Sequence, residues 1–98
     1  MSRPLAAGAR PRLARGVRLR QDHITGNTLL LRPERGFELR GSALDIVRLC
    51  DATLTVDGIV ERLVASHAAA PRAEIAADVT HLIEELADRG LIEIDEGP

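Results

Sequence analysis

The 98-residue chain contains no Lys, no Trp and no Tyr, and Phe37 is its only aromatic residue. Without aromatics, a stacking platform for exposed nucleobases cannot be assembled. The core must come from Leu, Ile, Val and Ala, within an apolar content of 45%. One cysteine, Cys50, excludes an internal disulfide framework and fits a cytoplasmic location. No apolar run approaches the roughly 20 residues that cross a bilayer, so no membrane association is expected. Met1 to Arg15 is arginine-rich but lacks a continuous apolar stretch and a cleavage site, which argues against a secretory signal. Ninety-eight residues suit one domain. The expected division is a flexible Arg/Pro/Ala-rich tail over 1–14 and a folded domain over 15–95.

What is present is unevenly distributed. Residues 1–40 hold nine Arg against three acids, a net of +6, whereas residues 41–98 hold four Arg against twelve acids, a net of −8. Val17-Arg18-Leu19-Arg20 alternates with the period of a half-buried strand. Thr25-Gly26-Asn27 and Pro33-Glu34-Arg35-Gly36 carry turn chemistry on either side of Thr28–Arg32, and Phe37-Glu38-Leu39-Arg40 alternates again. These three short strands predict an antiparallel meander.

The period changes at Gly41-Ser42. Ala43, Ile46, Val47 and Cys50 lie on one helical face, with Ser42 as the expected cap and Asp51-Ala52 as the stop. Thr55 is a second expected cap, ahead of Val56, Ile59, Val60, Leu63 and Val64. Pro71 suits the first position of a third helix, with its stripe in Ile75, Val79, Leu82, Ile83 and Leu86 and its stop at Gly90. Leu91–Ile94 is a candidate short extended segment. Helices packed on one face of a three-stranded meander make an α+β domain of winged-helix-turn-helix-like order.

Catalytic signals are absent. Cys50 falls on an apolar helical face, where burial makes a thiol inert. His23, His67 and His81 are scattered, and no His-x3-His or Cys-x2-Cys pair supplies metal-ligand spacing. Glu84, Glu85 and Asp88 lie opposite an apolar stripe, as a solvated helix face does. No enzyme, cofactor or metal site is expected. Two binding readings remain. DNA docking by the third helix is opposed by Glu74, Asp78, Glu84, Glu85 and Asp88, so no nucleic-acid partner is expected. Strand addition at an open meander edge would let an extended peptide pair with the third strand. An edge strand guarded for solubility alone would look the same in the sequence.

Words in the sequence add to these periods. Pro-Arg-Leu-Ala-Arg-Gly-Val-Arg-Leu-Arg (11–20), Leu-Leu-Leu-Arg-Pro-Glu-Arg (29–35), Leu-Cys-Asp (49–51), Thr-Val-Asp-Gly-Ile-Val (55–60) and Leu-Ala-Asp-Arg-Gly-Leu-Ile-Glu (86–93) together resemble the PqqD family. That resemblance implies a peptide chaperone of pyrroloquinoline quinone (PQQ) biosynthesis. Such a protein binds the precursor peptide PqqA and presents it to the radical S-adenosylmethionine enzyme PqqE. It also implies a leader peptide lying beside the third strand, at Phe37, Glu38, Leu39 and Arg40, in a groove bordered by Val79, Leu82, Ile83 and Leu86 of the third helix. Core packing is a competing role for the helical set. The +6/−8 split suggests Arg18 and Arg20 as partner-binding residues. Relatives often place a polar residue after the strand-three Leu, where this chain has Arg40-Gly41, and Gly after Leu-Cys-Asp, where it has Ala52. A recognition element of another modified-peptide pathway, such as mycofactocin, is the alternative. An open edge allows either a monomer or a strand-exchanged dimer.

Overall fold

A computed structural model describes residues 5–33, 35–67 and 69–95. In chain order the elements are β1 (Arg10–Leu13), β2 (Arg18–Gln21), β3 (Thr28–Arg32), β4 (Arg35–Leu39), α1 (Ser42–Arg48), α2 (Val56–Ser66), α3 (Arg72–Asp88) and β5 (Ile92–Asp95). The meander read from the sequence is the sheet β2-β3-β4, antiparallel throughout. A second sheet pairs β1 with β5, from Arg10 opposite Asp95 to Leu13 opposite Ile92. The α+β class and the three helices agree with expectation.

The described part of the expected tail, residues 5–14, departs from it. Ala9 and Ala14 are buried, and Pro11 is among the most completely buried side chains. On one side β1 takes the ladder of β5. On the other, Pro11 O accepts from Ala52 N at 3.0 Å and Ala9 O from Val56 N at 2.8 Å. The physical reason is distance along the chain. The apolar partners that make this segment fold, Leu91, Ile92 and Ile94, lie some eighty positions away, beyond any local period.

Alternation sets the meander's inner face: Leu19, Leu30 and Phe37 lie in one cross-strand row, and Leu39 follows on β4. Leu30 and Leu39 join Ile46, Val47, Ile59, Val60, Val79, Ile83 and Leu86 in a single core, against which Leu19 and Phe37 pack. Helix ends follow familiar chemistry, with three corrections, the first being that α1 ends at Arg48, so that Cys50 and the expected stop at Asp51-Ala52 lie beyond it. Thr55 does cap α2, its hydroxyl accepting from Gly58 N at 3.0 Å. Ser42, in contrast, makes no capping bond: it is already the first helical residue, because Gly41 at φ +53° turns the chain into α1 one position earlier. Pro71 likewise sits at the cap of α3, with extended ψ, and Arg72 is the first helical residue. The stop at Gly90 is as expected. With φ at +75°, it lets Leu91 N donate to Leu86 O at 2.9 Å and Gly90 N to Ala87 O at 3.0 Å, a Schellman closure that delivers the chain into β5.

Candidate peptide-binding edge

β4 is bonded to β3 on one side, and no described strand pairs with it on the other. Which of its backbone groups face that open side follows from the ladder. At the β2–β3 turn, Asp22 N donates to Asn27 O at 2.8 Å. Bonded pairs alternate along antiparallel strands, so Arg20–Leu29 and Arg18–Leu31 exchange bonds, and the groups of Leu29 and Leu31 point towards β2. Those of Thr28, Leu30 and Arg32 then point towards β4 and pair with Leu39, Phe37 and Arg35. Gly36 and Glu38 are left: their N–H and C=O groups face outward. A short strand with charged side chains blunts such an edge against indiscriminate pairing.

The side chains expected to bind peptide separate into three groups. Glu38 and Arg40 are exposed and paired with each other, and Asn27 Nδ2 donates to Glu38 Oε2 at 3.1 Å. Phe37 is half-buried on the inner face, and Leu39 is buried in the core. On α3, Val79, Ile83 and Leu86 have no accessible surface, whereas Leu82 is only partly buried. Covering the sheet consumes most of that stripe. Of the four helical candidates, Leu82 alone retains exposed surface.

A hollow of about 360 Å³ lies beside the start of β4, lined by Leu30, Arg32, Arg35, Gly36, Phe37, Arg89 and Leu91. Arg32 is fixed there by donating from Nη1 to Arg89 O at 3.2 Å. Gly90 permits the approach, since a Cβ at that position would stand 3.0 Å from the same nitrogen. Arg89 in turn lies over the Phe37 ring, 5.1 Å from its centroid, and pairs with Glu85 at 3.3 Å. Gly36, Arg32, Arg35 and Arg89 were not among the residues expected at the site. The hairpin register would have exposed Gly36, but the meeting of β4 with the end of α3 has no local signature.

Arg18 and Arg20 project from the opposite face of the sheet, exposed, beside the half-buried Leu29 and Leu31. Neither leucine belongs to the core.

Other reactive groups lie apart from the edge. Burial, with the charge of Asp51 beside it, pushes the Cys50 thiol up to about 12, and its sulfur contacts Ile46 O at 3.3 Å. Among the described residues no group of His, Cys, Asp and Glu is placed to hold a metal ion. Among those residues no helix is long and apolar enough to cross a membrane.

This arrangement has known counterparts. Residues 27–92 match the family model described as coenzyme PQQ synthesis protein D (PqqD). The chain belongs to the PqqD family. Among curated PqqD relatives, it is 41% identical over 83 residues to a PqqA binding protein of Rhizobium meliloti (strain 1021), spanning 85% of this chain and 84% of that one. It is also 40% identical to the bifunctional coenzyme PQQ synthesis protein C/D of Methylorubrum extorquens, where the match covers 85% of this chain and 22% of the larger protein. Among solved structures, the solution NMR structure of the PqqD truncation of Methylobacterium extorquens PqqCD superposes with a TM-score of 0.74 at 36% identity, covering 91% of this chain and 94% of that one. That truncation is described as a functional and stand-alone recognition element for ribosomally synthesized and post-translationally modified peptides (RiPPs). The resemblance drawn from the sequence words is thus correct at the family level.

Proposed function

We propose that this PqqD-family chain is a non-catalytic, cytoplasmic adaptor that binds the precursor peptide PqqA by strand addition to β4 and presents it to the radical S-adenosylmethionine enzyme PqqE. Relatives named PqqA binding protein support the choice of peptide. The observation that carries the mechanism is the outward pair of backbone units at Gly36 and Glu38, with a hollow alongside. An added strand satisfies those groups and gains main-chain hydrogen bonds, while side-chain contacts give selectivity. Glu38, Arg40, Phe37 and Leu82 make the direct contacts. Leu39, Val79, Ile83 and Leu86 hold the strand and the helical wall in position from within the core.

PqqE docks on the other face of the sheet, where Arg18 and Arg20 flank Leu29 and Leu31. This leaves the peptide edge free while the enzyme is bound. The protein acts as a monomer, because strand exchange between two copies would occupy the edge that the peptide needs.

An amide-resolved NMR titration with synthetic PqqA tests the peptide part. Shifts concentrated at residues 36–40 and around Leu82 are expected. Shifts induced by duplex DNA but not by PqqA would reverse the conclusion. For the enzyme, Arg20→Glu, which lies away from the hollow beside β4, is expected to weaken PqqE binding and leave PqqA binding unchanged. Unchanged PqqE binding would move the docking face elsewhere.

A further inference from the structure

The hollow beside β4 joins apolar and basic residues. Its floor is apolar, from Leu30, Phe37 and Leu91, and its rim is three arginines, Arg32, Arg35 and Arg89. An adjoining depression shares Arg32 and Arg35 and adds Arg18. Against these cations the described residues supply one carboxylate, Glu85, which pairs with Arg89. No described carboxylate pairs with Arg32 or Arg35, although the chain from residue 41 onward is strongly acidic.

We propose that this hollow is a carboxylate subsite, selecting a peptide strand that carries an apolar and an acidic residue two positions apart. The inference rests on strand addition at β4. Alternate residues of an added strand point to the same face. One faces Phe37 and the residue two positions away faces Arg35, so the pair reads the apolar floor and the basic rim together. Arg32, already fixed by the Arg89 carbonyl, and Arg89, stacked on Phe37, present guanidinium groups that need little further ordering. Planar guanidinium donors match the geometry of a carboxylate. Glu85 competes for Arg89 from within the protein, so its neutralisation favours the incoming acid.

Calorimetric titration of synthetic PqqA, and of variants in which each Asp or Glu is changed singly to its amide, tests the subsite. One amide variant is expected to bind about three- to tenfold more weakly, as for a partly exposed charge-assisted contact. Arg35→Gln, an exposed change that leaves the core untouched, is expected to weaken unmodified PqqA by a similar factor and to erase the difference between the two peptides. Glu85→Gln is expected to strengthen unmodified PqqA and not that amide variant. If every amide variant binds like PqqA, or the difference persists in Arg35→Gln, while NMR shifts at residues 36–40 remain, the subsite is refuted and strand addition stands. If PqqA leaves residues 36–40 unperturbed, strand addition fails and the subsite with it.

Discussion

β1 and β4 are both short strands at the border of a sheet, but their backbones are used differently. β1 is closed on both sides: β5 pairs with one, and the other meets Asp51 through a bridge from Arg12 and gives Pro11 O to Ala52 N. Among the described residues, β4 is closed on one side only. A buried backbone group left unpaired costs about 1–3 kcal/mol, so a segment lying over the core, as β1 does, has to be fully bonded. An edge facing solvent has no such requirement, because water satisfies it until a peptide displaces the water. The contrast separates a strand that completes the fold from one that remains available.

Truncation to Arg15 should have the largest effect. A flexible tail could be removed at no cost, whereas losing β1 uncovers Ile92 and Ile94 and strips the cover from α2's first turn. The loss is expected to rival the whole margin of a small domain, about 5 kcal/mol, and to appear as a missing or greatly lowered urea transition. A truncated protein as stable as the full chain would dissolve the contrast.

Within β4, two proline substitutions sharpen it. Leu39→Pro deletes an inward donor and disturbs a buried residue, so a loss of about 1–3 kcal/mol is expected from the orphaned Thr28 carbonyl alone. Glu38→Pro deletes an outward donor, which an edge strand tolerates, and should leave circular dichroism near the parent while lowering PqqA affinity at least about tenfold. Equal destabilisation by the two would mean that the bonded phase derived for β4 is wrong.

Cys50 reports on the closed region, since it precedes Asp51 at the β1 bridge. Its folded-state value is raised, so the unfolded chain releases the thiol proton first. Stability should therefore fall as pH rises from the ordinary thiol range of about 8.5 towards 12. Iodoacetamide at pH 8 should label the unfolded chain and leave the folded one unmodified. Labelling of the folded chain would show that the region opens. The smallest effect is expected for Arg12→Gln. The Arg12–Glu93 pair, at 3.2 Å, is about half exposed on both sides, and such pairs contribute about 0–1 kcal/mol. A larger loss in urea unfolding would assign the β1–β5 contact to charge rather than to burial and backbone bonding.

The legible parts of this protein are those whose cause is local. Alternation in residues 17–20 and 37–40 placed β2 and β4, the turns on either side of the leucine run 28–32 placed β3, and the 3.6-residue stripes placed the three helices. Thr55 and Gly90 marked their boundaries through side-chain and φ chemistry that one turn of chain contains. Ser42 and Pro71 were each read one position off, because which residue opens a helix depends on the neighbouring backbone as well as on side-chain type. The helical stripe on α3 was legible as apolar but not as core or groove: only packing assigned Val79, Ile83 and Leu86 to the interior and left Leu82 partly exposed.

By itself, then, the sequence determined the order of the meander strands and the three helices, their apolar faces and, through its distinctive words, the family. Two things waited for the tertiary structure. These are the capture of residues 10–13 by a strand some eighty positions later, and the gathering of Arg32, Arg35 and Arg89 around Phe37. Local patterns record what each segment buries. They do not record which distant segment it meets, because that is settled by the packing of the whole chain.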